Sequence, residues 1–162
     1  MEIYLMRHGE ALSPHDWREG DNTRPLSNTG KHQVQKALDG MKKNGFKPEI
    51  ILTSPFVRAQ QTAEIVKQLG EDVKVEKVND LRSGASVKVI HAGVVPYQEY
   101  SRVLVVGHMP DMALFGSGLT LEAQLMERHL EPGEIWAFNV SGLDQGWGTG
   151  KMIWEKKISD WN

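Results

Sequence analysis

The amino-acid sequence predicts a three-layer α/β/α fold on a mostly parallel central sheet, and three observations carry that prediction. Short apolar runs of strand character alternate with segments of helical period as far as Leu121, the pattern of a parallel sheet covered on both faces. The runs themselves, "EIYLM" and "RVLVV" above all, are largely apolar rather than alternating, as strands buried on both faces are. After "EPGE" the pattern changes to two strand-like runs joined by the glycine-rich "SGLDQGWGTG", which reads as a hairpin or a sheet edge. With 162 residues, 40% hydrophobic and 25% charged, the chain suits a single domain, residues 1–162, with a full-sized core.

Each element has its own signal. Glu2 to Met6 is the first strand, rich in residues that favour burial or pleated packing. Residues 11–26, "ALSPHDWREGDNTRPL", are polar with turn formers and read as a surface loop. Val34, Ala37, Leu38 and Met41 fall at i, i+3, i+4 and i+7 of a helix that Gly45 and Pro48 stop. Glu49 to Thr53 is the second strand. Ser54 and Pro55 read as N-cap and first position of a helix reaching Leu69, with Ala59, Ala63 and Val66 inward. Val73 to Lys77 alternates as a third strand, and residues 86–95 form a helix through Val87, Ile90 and Val94. Arg102 to Val106 is the fourth strand. An apolar helix follows "GHMP" to Leu121, with Gly116 and Gly118 as points of interruption. Ile135 to Val140 and Met152 to Lys156 complete the sheet.

Composition excludes several classes of function. Nineteen basic residues stand against 21 acidic ones, a formal net charge of -2, with no polybasic block, so neither nucleic acid nor an anionic membrane is indicated as a partner. There is no cysteine, which removes disulfides and thiolate metal sites. No H-x-x-x-H or clustered His/carboxylate spacing points to a metal. The first residues lack a basic stretch followed by an apolar one, and no apolar run approaches the roughly 18 residues of a membrane span. A cytoplasmic protein is the expectation.

The chemistry lies at the strand ends. The first strand delivers Arg7 and His8, the second reaches Ser54 with Arg58 in the first turn of the next helix, and the fourth delivers His108 inside "VVGHMP". In a parallel sheet these junctions open on one edge, where ligands bind. Two arginines and two histidines then converge in a protein with no excess of positive charge. Guanidinium forks match phosphate oxygens, and helix-start N–H groups after Ser54 and near Pro110 add donors. A tetrahedral dianion is the natural guest. A neutral imidazole beside it can attack phosphorus, and Gly9 permits the tight turn that puts backbone close to the guest. His15, His32, His91 and His129 sit in no motif and read as surface residues; the five tryptophans read as packing, Trp17 in the long loop included.

At these residues the chain resembles the histidine phosphatase, or phosphoglycerate-mutase-like, superfamily. The matching pieces are "LMRHGEA" (Leu5–Ala11), "RPLSNTG" (Arg24–Gly30), "ILTSPFVRAQQTA" (Ile51–Ala63) and "VVGHMP" (Val105–Pro110), in the family's order. Within it the chain most resembles the short, SixA-type phosphohistidine phosphatase branch. The resemblance implies His8 as nucleophile; Arg7, Arg58 and His108 as the phosphate pocket; Arg24 reaching the substrate phosphate; and Asn28 and Ser27 as lesser contacts. It implies no cofactor, a phosphorylated protein as substrate partner and inorganic phosphate as product. Arg58 and His108 are only 50 positions apart, so the helical insertion that roofs the site in larger members is missing and the pocket suits a phosphoryl group on a protein surface. Those members place a carboxylic acid in that interval to protonate the leaving oxygen. Asp80, in "VNDLRSGAS", lies near that place and is the candidate acid; Glu10 is nearer the nucleophile in sequence. The alternatives on the same residues are a small-molecule phosphomonoesterase or mutase, and a non-catalytic phosphate-binding module.

Overall fold

A computed structural model describes residues 1–161. Six strands, β1 (Glu2–Arg7), β2 (Ile50–Thr53), β3 (Lys74–Lys77), β4 (Arg102–Gly107), β5 (Ile135–Val140) and β6 (Gly150–Lys156), form one sheet in the order β3-β2-β4-β1-β5-β6. The first four of that order are mutually parallel, while β5 and β6 pair antiparallel. Four helices cover it: α1 (Asn28–Lys43), α2 (Val57–Val66), α3 (Val87–Val94) and α4 (Asp111–Thr120).

The pleat divides the core in two. Along β1, Ile3 and Leu5 pack with Ile90 and Val94 of α3 and Met112 and Phe115 of α4. Tyr4 and Met6 point the other way, onto Val34 and Met41 of α1 and Ala59 and Ala63 of α2. Strands β1, β2 and β4 are therefore apolar on both faces, as their sequences require. The period-3.6 residues of α1 and α2 form the buried stripes: Val34, Ala37, Leu38, Met41, Ala59, Ala63 and Val66 are all fully enclosed.

Three features of the elements differ from expectation by more than a one-residue shift at an end. Ser54 and Pro55 do not open α2; the chain bends at Pro55 and Phe56, the latter with φ -69° and ψ 139°, and the helix begins at Val57. The Ser54 hydroxyl accepts from Phe56 N–H across that bend and also meets His108. α4 is not interrupted at Gly116 or Gly118, because both serve close packing. A Cβ at Gly116 would lie 3.0 Å from the Phe138 ring, and one at Gly118 would lie 2.8 Å from that of Trp147. β6 starts two residues early, at Gly150. His91, expected on the surface, is half-buried: its Nε2 lies 2.9 Å from the Leu143 carbonyl and its ring stands against Trp147.

Candidate active site

Topology gathers the site. Because β1, β2 and β4 run in parallel, their carboxyl ends share an edge: Arg7 is level with Gly107, and Thr53 with Val106. The next residues must then be neighbours. His8 N–H donates to the Gly107 carbonyl at 3.1 Å, Ser54 N–H to that of Val106 at 3.0 Å, and the His8 and His108 rings stand 5.2 Å apart. Antiparallel β5 presents its opposite end there. Residues 128–134, which lead into β5, wrap Arg7, whose Nη1 donates to the Leu130 carbonyl at 2.8 Å and lies 3.0 Å from His129 Nε2.

Arg7, His8, Arg24, Arg58 and His108 line one cavity of about 430 Å³ at this edge, together with Glu10, Asp21 and Ser83. The sequence candidates that converge are thus all four members of the central constellation, and Arg24 and Glu10. Two others do not. Asp80 lies in a short 3-10 turn, Asn79–Leu81, packed beside Gly93 of α3 with its carboxylate 4.0 Å from Arg82 Nη1, and it does not line the cavity. Asn28 is the exposed first residue of α1 and is also outside the cavity. Its neighbour Ser27 is the N-cap of that helix, accepting from Gly30 N–H at 2.9 Å.

The two imidazoles are held by defined partners. His8 Nδ1 lies 2.7 Å from the Gly9 carbonyl, an acceptor only, so Nδ1 carries the hydrogen and Nε2 is left with its lone pair. Arg58 Nε donates to that Nε2 at 3.3 Å. His108 Nε2 lies 2.7 Å from Ser54 Oγ, and Phe56 is wedged between His108 and the Arg58 guanidinium, about 5.1 Å from each. Burial lowers the His8 pKa to about 4; the Gly9 carbonyl opposes the shift, and the charges of Arg58, Arg7 and Arg24 add to it. Burial likewise takes His108 down to about 3, with His8 and Arg58 reinforcing it. Both rings are neutral at pH 7.

Asp21 is the residue that sequence reasoning missed. Its carboxylate accepts from Arg24 Nη2 at 2.9 Å and from Arg58 Nη2 at 3.2 Å, and its backbone carbonyl accepts from Arg58 Nη1 at 2.7 Å. Burial raises its pKa, but the hydrogen bonds and charges of the two arginines outweigh that and hold it below the usual carboxylate range. The only signal was an acid three positions before Arg24 in a loop, a spacing too common to single out. Ser54 and Thr62 were quoted within a motif, yet nothing in one dimension showed what they touch. Among the described residues, no group of three or more His, Asp or Glu is arranged to hold a metal ion, and no helix is long and apolar enough to cross a membrane.

The arrangement can seat a tetrahedral oxyanion among cations and present it to an unprotonated imidazole nitrogen. Comparison with known proteins points the same way. The family described as the histidine phosphatase superfamily (branch 1) matches residues 3–84. Phosphohistidine phosphatase SixA of Escherichia coli is 29% identical over 113 residues, 68% of either chain. An uncharacterized protein of Picosynechococcus is 34% identical over 116 residues, 69% of this chain and 68% of its own. A solved structure of the protein histidine phosphatase SixA complexed with tungstate shares the fold, with a TM-score of 0.82 at 22% identity over 100% of both chains.

Proposed function

Because this chain belongs to the histidine phosphatase superfamily and is a SixA-like phosphatase, we propose that it hydrolyses phosphohistidine on a protein through a phospho-His8 intermediate. The observation that carries this reading is the state of His8: Nδ1–H is fixed on the Gly9 carbonyl, and Nε2 is unprotonated and aimed at the Arg58 side of the cavity. Nε2 attacks phosphorus as the bond to the substrate nitrogen breaks, that nitrogen keeping the electron pair, and the leaving ring departs as neutral imidazole because its other nitrogen already carries a proton. The negative oxygens of the transferring group meet Arg7, Arg58 and His108. Arg7 Nε and His108 Nδ1 are buried and lack a protein partner, so both have hydrogen-bonding capacity to give to an oxyanion. Water then displaces phosphate from His8 and restores the imidazole. Side chains suffice for every step, and no cofactor enters.

A protein substrate is supported by the cavity's position at an open sheet edge. The 49 residues between Arg58 and His108 complete α2 and form β3, α3 and β4, with no helical roof. The name of the E. coli relative and the tungstate in the SixA structure agree with an oxyanion carried by phosphohistidine. The test is to supply a histidine-phosphorylated protein carrying labelled phosphate. Wild type should take up acid-labile, base-stable label and release phosphate, unaffected by chelator, while His8→Ala does neither. Normal turnover by His8→Ala overturns the mechanism. Equal or better turnover of sugar and nucleotide phosphates would move the assignment to a small-molecule phosphomonoesterase.

A further inference from the structure

The proposed attack requires one tautomer of His8, and that tautomer depends on a single backbone carbonyl, Gly9 O. The carbonyl belongs to a segment that lies outside every helix and strand, so its position must be imposed from outside. Three elements impose it. From β4, the Gly107 carbonyl holds His8 N–H. From α2, the fully buried Thr62 hydroxyl accepts Gly9 N–H at 3.1 Å and donates onward to the Arg58 carbonyl at 2.8 Å. From α1, Ser27 N–H donates to the Glu10 carbonyl at 3.0 Å, and the Ser27 hydroxyl, while capping the helix, reaches the same oxygen at 3.3 Å.

Glycine closes this clasp. A Cβ at Gly30 would lie 2.0 Å from the Glu10 carbonyl oxygen and 3.0 Å from the Glu10 nitrogen. One at Gly9 would lie 2.6 Å from a Val34 methyl and 3.2 Å from the Gly30 carbonyl. The nucleophile segment thus rests directly on the first turn of α1, backbone against backbone. Neither Thr62, Ser27 nor Gly30 lines the cavity, so none touches a guest there.

We infer that Thr62, Ser27 and Gly30 are positioning residues that hold the Gly9 carbonyl on His8 Nδ1 and so select the nitrogen that attacks. This gives the "SNTG" part of the second motif a role other than substrate contact, and it explains why a threonine stands on the buried face of α2 among alanines. The inference rests on His8 being the nucleophile, but the tautomer itself can be read without any substrate.

The decisive experiment is nitrogen-15 NMR of the His8 ring alongside steady-state kinetics. In wild type the ring should be protonated at Nδ1. Thr62→Val keeps shape and burial but cannot accept from Gly9 N–H; it should populate the other tautomer and lower kcat about 10- to 100-fold, with KM and inorganic phosphate affinity changed less than about 3-fold. Thr62→Ser should restore both. Should Thr62→Val not fold, Ser27→Ala and Gly30→Ala carry the same test from the α1 side, Gly30→Ala the more severe. A folded Thr62→Val or Gly30→Ala with the wild-type tautomer and kcat overturns the inference, as does a kcat loss with the tautomer unchanged, the mark of a merely structural role. If wild type shows the Nδ1–H tautomer, lost in Thr62→Val, but turns over no phosphorylated substrate, the clasp stands and the proposed activity falls.

Discussion

The floor and the rim of the cavity are built on different principles. On the floor, His8, Arg58 and His108 are 9%, 4% and 2% exposed, sit at strand ends or in a helix's first turn, and are fixed by backbone carbonyls, by one another, by the Ser54 hydroxyl and by Asp21. On the rim, Asp21 and Arg24 stand in a loop with side-chain exposures of 58% and 17%, Glu10 and His129 are exposed, and the bonds are ion pairs and carbonyl contacts. Sheet topology dictates the floor, so it tolerates little change. The rim is made by loop residues whose charges can be exchanged, and it is where a chain of this fold can adapt to the carrier of the phosphoryl group.

The largest predicted effect tests the floor. Arg58 touches the nucleophile's nitrogen and faces the developing charge, so Arg58→Ala should lower kcat/KM by about 10²- to 10³-fold, the order found for removing one transition-state donor. Arg58→Lys should recover little, because an ammonium cannot reach His8 and Asp21 in the geometry of a planar fork. Steady-state kinetics on the phosphohistidine protein provides the check. A lysine that restores activity would mean that charge alone is needed and that the floor is less exacting than its geometry.

The second prediction uses proton linkage to separate the two regions. His8 and His108 have folded-state pKa values of about 4 and 3, below their ordinary 6.5, so the unfolded chain takes up protons first as pH falls. Their contribution to stability is fully present above about pH 6.5 and is lost as pH falls from there toward 4 and then 3. Asp21 also has a lowered pKa, but as a carboxylate its contribution is lost only below the ordinary carboxylate range. Urea midpoints should therefore drop between pH 6.5 and 4.5 in wild type, with a shallower slope in His108→Gln and an unchanged one in Asp21→Asn. The same depression predicts that kcat/KM persists on the acid side well below pH 6.5, since His8 keeps its lone pair there.

What the sequence disclosed follows the same division. The floor was legible because its residues end strands, and strands announce themselves by apolar runs whose parallel arrangement fixes where their ends meet; Arg7, His8, Arg58 and His108 needed nothing else. One half of the core was legible from the inward residues of α1 and α2, the other from Ile90 and Val94 of α3. Of the rim only Arg24 and Glu10 were candidates, because residues 11–26 and 128–134 have no periodicity and their contacts cross the molecule, as between Asp21 and Arg58 or Arg7 and Leu130. Asp80 stands outside the cavity for a related reason: nearness in sequence to an expected acid says nothing about the direction of a turn, and this turn packs against α3. Ser54 reads from the sequence as a helix cap, and its contact with His108 follows only from the register of β2 with β4.

The smallest predicted effect is the one that probes the boundary. Asp21 occupies two nitrogens of Arg58 and two of Arg24, so it both orients these forks and cancels part of their charge. Asp21→Asn keeps an oxygen acceptor and the backbone carbonyl while removing the charge. It should tighten inorganic phosphate binding about 2- to 5-fold, the scale of a partly exposed ion pair, and leave kcat within about 3-fold. Arg24→Ala should move phosphate affinity by a similar factor in the opposite direction. Both effects should shrink between low salt and about 0.5 M salt, because these charges face solvent, whereas the loss in Arg58→Ala should not. Calorimetric titration with phosphate at two salt concentrations distinguishes the cases. A kcat loss in Asp21→Asn comparable to that of Arg58→Ala, insensitive to salt, would show that the acid belongs to the floor and holds Arg58 in place through its side chain rather than through its carbonyl.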